Sequence, residues 1–194
     1  MKELLSLLAA GIAIAGYIPY LRGIQRGTVQ PHPYTWLIST FVSGVILAGQ
    51  IVDGAGTGAL PTATSLFFTL AIFVFSLKHG LRHVTKTDSV FLAAAVVSCI
   101  PWFLTKDPTL SVVLAVSIDL IAFSPTIRKA WIAPTTESPL FYGANVVRHI
   151  LTLFSLDAYS IATTLHSVVM VLSNAAITLI VTTRKRVSLS KRNG

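Results

Sequence analysis

Charge is what this chain has least of. Only 11% of its 194 residues are Asp, Glu, Lys or Arg, against roughly 25% in a soluble domain. Acidic residues are the scarcest, 7 against 15 Lys and Arg, which leaves a net charge of +8. A single cysteine, Cys99, excludes an internal disulfide and says little about redox compartment. Enzyme signatures are absent as well. No His/Cys/Asp/Glu cluster has metal spacing, and there is no G-x-S-x-G elbow and no P-loop, so neither an enzymatic activity nor a cofactor or metal is expected.

What the chain does have is apolar surface: 53% hydrophobic residues and a mean hydropathy of +0.74. A soluble fold of this size cannot hide so much behind so few charges. The sequence therefore predicts an all-α integral membrane protein. The basic balance does not indicate nucleic acid, because no soluble module is left to carry such a surface.

Seven apolar runs are long enough to span a bilayer, at about residues 3–22, 34–52, 59–78, 89–105, 109–128, 139–156 and 159–182. The first resembles a signal peptide, with Lys2 ahead of an apolar stretch and small residues near Ala15-Gly16. It is long enough to span, and the repeat described next requires it, so it is expected to be retained. Arg22 and Arg26, then Lys78, Arg82 and Lys86, then Arg128 and Lys129, follow runs one, three and five. Arg184, Lys185, Arg186, Lys191 and Arg192 follow run seven, whereas the other side carries Lys2 and Lys106 beside Glu3, Asp53, Asp107 and Asp157. This asymmetry predicts an outside N-terminus and a cytoplasmic C-terminus.

A gapless shift of 106 residues carries Pro19 onto Pro125, Pro33 onto Pro139, Arg22 onto Arg128 and Lys78 onto Arg184. It lays runs one to three over runs five to seven. Prolines do gather at helix ends, but the fixed spacing with a basic residue three places on favours a duplication. Three spans reverse direction, so run four must link two units of the same orientation. The expected organisation is 3+1+3 with parallel repeats: residues 1–86, a linker helix at 87–106, a second repeat at 107–186 and a basic tail at 187–194. Parallel repeats recur in transporters, with the substrate near the midplane.

On this layout, orientation and set of prolines, nearly the whole chain resembles the PQ-loop and SWEET superfamily of seven-span transporters. Segments such as GYIPYLR, LTKDP and SPTIRKAW also look like an uncharacterised bacterial branch of it. The resemblance implies a bacterial inner-membrane carrier, with Pro19, Pro33, Pro125 and Pro139 as hinges on the cytoplasmic side. The chain departs from the pattern in following Pro19 with Tyr20 and Pro125 with Thr126, so neither copy has the Pro-Gln pair.

Ionisable residues inside spans are costly and are functional candidates. Asp119 and Arg148 each fall ~14–16 Å deep, near the midplane. They are expected to form an ion pair or to face one cavity, with a purely structural lock between adjacent helices as the alternative. Tyr142, Asn145, His149 and Thr152 share a helical face beside Arg148. Their repeat mates are Trp36, Ser39, Ser43 and Ile46. His166, Met170, Ser173 and Asn174 recur at helical spacing in run seven. The resemblance makes Asn174 a sugar-contacting position, but its mate is Phe68, so a symmetric sugar site is not expected. HGLRH at 79–83 sits in a basic loop without an acidic partner and predicts a solvated face, not a metal site.

The expected substrate-binding set is Trp36, Asp119, Asn145, Arg148, His149 and Asn174. The solute would be small and polar or charged, a sugar, an amino acid or a carboxylate, moved by alternating access. The Asp–His combination suits a protonation change, and Arg148 suits a carboxylate or phosphate. The alternative is a non-transporting receptor or membrane scaffold of the same fold, as the KDEL receptor is. Beyond solute and lipid bilayer no partner is required. Two fused units make dimerisation unnecessary for a complete cavity and leave a homo-oligomer open.

Overall fold

The computed structural model describes residues 1–27, 31, 33–79, 86–132, 134 and 139–190. Among them the chain is helical throughout: α1 (Lys2–Gln25), α2 (Pro33–Val52), a 3-10 turn (Gly56–Ala59), α3 (Leu60–His79), α4 (Lys86–Val97), α5 (Ile100–Thr105), α6 (Thr109–Ile132), α7 (Pro139–Ser155) and α8 (Ile161–Ser190). Four stretches, Lys2–Gln25, Pro33–Val52, Gly56–Lys78 and Ile161–Arg184, are long and apolar enough to cross a membrane. The other apolar stretches among the described residues are shorter. In α6 the stretch is Thr109–Ile121, and α7 carries Asn145, Arg148 and His149 within 17 residues.

The distribution of side chains is that of a membrane protein. Ser65, Thr69, Arg148, His149, Thr152, Ser167 and Asn174 are buried, while Leu4, Leu7, Phe67, Leu70, Val74, Leu172 and Leu179 are exposed. An apolar exterior around a polar interior is costly in water and favourable in lipid. Interior hydroxyls turn back on their own helices, as Thr152 does to the Arg148 carbonyl at 3.0 Å and Thr178 to that of Asn174 at 2.8 Å. Each backbone bond so made removes an unsatisfied donor from the apolar medium.

α3 packs against both α1 and α2, and α8 packs against both α6 and α7. Across the bundle, α1 packs on α7 and α2 on α6, while α4 lies against α2 and α6. Small residues on α1 (Ala9, Ala10 and Ala13, all buried) permit close helix approach. One apolar cluster joins α2, α6 and α8 through Val42, Ile46, Val112, Val116 and Ala162. At the end of the bundle that carries Arg22 and Arg184, Ala130, Tyr142, Ile177 and Val181 form another. There the Arg184 guanidinium lies 4.6 Å from the Trp131 ring centroid. We call this the basic end. At the opposite, acidic end, Ala55, Ala59 and Leu156 pack together.

Run four is not one helix. It divides into α4 and α5 at Ser98-Cys99, with Pro101 in the first turn of α5. Proline supplies no N–H to a continuous ladder and clashes with the carbonyl four residues back. Ser98 Oγ instead donates to the Ala95 carbonyl at 2.7 Å, and Lys106, at φ 61°, closes α5 through its N–H to the Trp102 carbonyl. Asp107 then accepts from the Thr109 N–H at 2.8 Å at the start of α6. The bonds from Thr109, side chain first and backbone second, hold the Asp107 carboxyl below the usual carboxylate range.

The hinge prolines fall into two kinds. Pro19 lies inside α1 and Pro125 within the bounds of α6. Pro33 and Pro139 instead open α2 and α7, where a missing N–H forfeits no helical bond. At the far end, α8 continues to Ser190, through half of the segment expected to be a basic tail. The HGLRH side chains, and those of Pro125, Arg128 and Lys129, lie outside the described residues.

Candidate functional site

A cavity of about 180 Å³ lies in the middle of the bundle. Tyr17 of α1, Trp36 of α2, Ser65 of α3, Asp119 of α6, Arg148 of α7 and His166 of α8 all line it, so both groups of three helices contribute. At ~30 Å³ per water, it has room for about six waters or a small solute. A second, mostly apolar cavity of about 690 Å³ lies between α1, the start of α2 and the first half of α7, toward the basic end. Tyr17, Trp36 and Arg148 border both.

Arg148 is the centre of the polar constellation and is only 8% exposed. Its Nη1 donates to Ser65 Oγ at 2.6 Å, and its Nη2 lies 2.7 Å from His149 Nε2. Guanidinium nitrogens only donate, so Nε2 accepts and the His149 imidazole is neutral, with its proton on Nδ1 toward Ser167 Oγ at 3.4 Å. The Arg148 Nε is buried without a partner. Among the described residues no carboxylate lies within ion-pair distance of this guanidinium.

Asp119 does not meet Arg148 as an ion pair. Its Oδ2 is 3.6 Å from His166 Nε2, and the His166 ring stands edge-on to that of His149 at 5.3 Å between centroids. The His166 Nδ1 is also buried without a partner. Polar groups thus run from Ser65 through Arg148, His149 and His166 to Asp119. Among the described residues no three His, Cys, Asp or Glu side chains gather as a metal site.

Trp36, Asp119, Arg148 and His149 are brought together on the polar cavity. Asn145 borders the apolar one, where its Nδ2 donates to the Phe141 carbonyl at 3.1 Å. Asn174 borders neither cavity. It is buried, and its Nδ2 donates 2.8 Å to the Met170 carbonyl one turn back, which leaves the neighbouring Met170 at the cavity wall. Tyr142, on the expected polar face of α7, packs in the apolar cluster with Ala130 and Ile177. Phe68, the repeat mate of Asn174, stacks on Tyr17 at 5.1 Å and 6°.

Tyr17, Ser65, Thr62, Thr69 and His166 join the site without having been in the expected set. Only His166 left a trace in the sequence, as an ionisable residue one turn from Met170.

The acidic end is tied together by several contacts. Ser160 Oγ donates to Asp53 Oδ2 at 2.5 Å, Gln50 Nε2 to the Thr163 carbonyl at 3.3 Å, and Ser6 Oγ to the Thr57 carbonyl at 2.5 Å. The Asp157 N–H donates to the Ala55 carbonyl at 3.0 Å, and Lys2 Nζ meets Asp157 Oδ1 at 3.2 Å. Gly58 makes the approach possible, since a Cβ there would come 2.7 Å from Leu156 Cα.

Compared with protein-family models, with curated proteins and with solved structures, the chain finds no match.

Proposed function

We propose that the protein is an alternating-access carrier of a small charged solute, built on the seven-span 3+1+3 plan of the PQ-loop and SWEET superfamily. One observation carries this reading: Arg148, buried and with an unpartnered Nε, lines a mid-bundle cavity walled by α1, α2, α3, α6, α7 and α8. A buried charge without an opposite charge is expensive. An anionic group on the solute offsets that cost, which a helix-locking role for Arg148 does not.

The packing favours two repeats. The third helix of each group contacts the first and second, and the cross-contacts α1–α7 and α2–α6 exchange under the swap of units. α4 and α5 together take the place of the linking span. The Arg22, Lys78 and Arg184 end faces the cytoplasm on the positive-inside rule. The bonded acidic end then closes the outer side, while the larger cavity lies toward the inner one. Asp119 and His166, opposite Arg148, suit a second charge on the solute or a proton carried with it.

Uptake into vesicles of purified protein, over a panel of carboxylates, amino acids and sugars, tests the proposal. Charged solutes are expected to enter against a protein-free control. Arg148→Leu is expected to reduce uptake by more than about tenfold, since hydrogen bonds to charged groups contribute ~1.5–3 kcal/mol. Asp119→Asn should also reduce it. Transport indifferent to both changes would remove the site, and no uptake across the panel would favour the non-transporting receptor.

A further inference from the structure

The two cavities meet at one residue. Arg148 borders the polar chamber and also the larger chamber toward the basic end. The larger one, at about 690 Å³, is within the ~300–1,000 Å³ of ordinary ligand pockets. It is walled by aliphatic and aromatic groups, among them Ile12, Tyr20, Leu140 and Phe141. Its charged group is Arg148, and Asn145, whose Nδ2 is taken by the Phe141 carbonyl, is its amide. Among the described residues Arg148 is the one cation on this apolar chamber, a pairing that suits an amphipathic anion.

We infer that the site takes an amphipathic monocarboxylate, its carboxylate on the Arg148 guanidinium and its aryl or short alkyl body in the apolar chamber against Trp36 and Phe141. This rests on the reading of Arg148 as a solute site and names the class of solute. The unpartnered Nε fits it, because a carboxylate that reached the guanidinium would accept from Nε and an Nη side by side. The chamber fits it too. A free inorganic anion or a small hydrophilic acid leaves the apolar walls uncovered, whereas a neutral apolar tail leaves the guanidinium bare.

The test is ligand binding to the full chain in lipid nanodiscs, read as a saturable change in Trp fluorescence and as a rise in Tm. The probes are 4-phenylbutyrate, its neutral counterpart 4-phenylbutan-1-ol, and acetate. 4-Phenylbutyrate is expected to bind at least about tenfold more tightly than either comparison compound. Arg148→Gln should abolish the preference for acid over alcohol, and Arg148→Lys should retain part of it, because the charge remains without the planar fork. Ala144→Phe, which fills only the apolar chamber, should weaken 4-phenylbutyrate and spare acetate.

Equal binding of the alcohol would overturn the inference in favour of a chamber that any lipid tail fills. Equal binding of acetate would overturn it in favour of a bare anion site. Should Arg148→Gln fail to fold, the three-probe comparison on the unaltered protein decides the matter. Uptake of another charged solute without 4-phenylbutyrate binding would sink this inference and leave the carrier standing. Carboxylate binding without uptake of any solute would do the reverse.

Discussion

Arg148 is bonded but, among the described residues, not neutralised. Ser65 and His149 orient two of its nitrogens with neutral acceptors, which fix the guanidinium plane without supplying a counter-charge. Ser65→Ala is therefore a sharper probe than removal of the arginine. It deletes one neutral acceptor, worth about 1 kcal/mol, and should raise the KM for the best-transported solute roughly fivefold. A change confined to Tm, with KM untouched, would make the Ser65 contact structural only. At this scale the sequence was legible where a residue type was costly. Asp119 and Arg148 stood out because ionisable groups within apolar runs need a reason. Ser65, Thr62 and Thr69 did not, since membrane hydroxyls usually bond their own helix, as Thr69 also does to the Leu66 carbonyl at 3.0 Å. Depth placed Asp119 and Arg148 at the same level, but depth carries no rotation about the helix axis, and His166 took the partner expected for Arg148. Asn174 was expected on a resemblance, and its geometry turns it onto its own helix.

Helices differ in what their prolines do. Pro19 interrupts the hydrogen-bond ladder of α1 beside the larger cavity, leaving the carbonyl four residues back, that of Ala15, without its ladder donor. Pro33 opens α2 at no such cost. Pro19→Ala should therefore restore a ladder bond, raise Tm by a few degrees and slow uptake, while Pro33→Ala leaves both near their starting values. If Pro19→Ala transports at the normal rate, the α1 hinge is wrong. Element positions were largely legible, because length and hydropathy identify apolar runs well. The break in run four was not, although Pro101 sits within it: hydropathy averages over the proline that ends the ladder. Nor was the length of α8 beyond residue 182. There the chain turns polar without a proline or glycine to stop it, and the helix runs on to Ser190.

Seen as a whole, the molecule is asymmetric along its axis. One end is stitched by bonds between the two groups of helices, and the other holds the larger cavity. The stitches differ in strength. Lys2–Asp157 is half exposed, and such pairs are worth ~0–1 kcal/mol. On the proposed carrier cycle, separable contacts suit a closure that opens once per turnover. No single one of them should be indispensable, but fixing any of them covalently should stop the cycle. Ser160 Oγ and Asp53 Oδ2, 2.5 Å apart, join the start of α8 to the end of α2 and so bridge the two groups. With Cys99 first replaced by Ser, the pair Asp53→Cys and Ser160→Cys can be joined by a short thiol-reactive linker that is cleaved by reductant. Cross-linking should arrest vesicle uptake nearly completely, and reduction should restore it. The two single variants, treated identically, should lose little. Alternating access requires the acidic end to part for a solute to pass, so undiminished uptake in the cross-linked protein would exclude that mechanism through it.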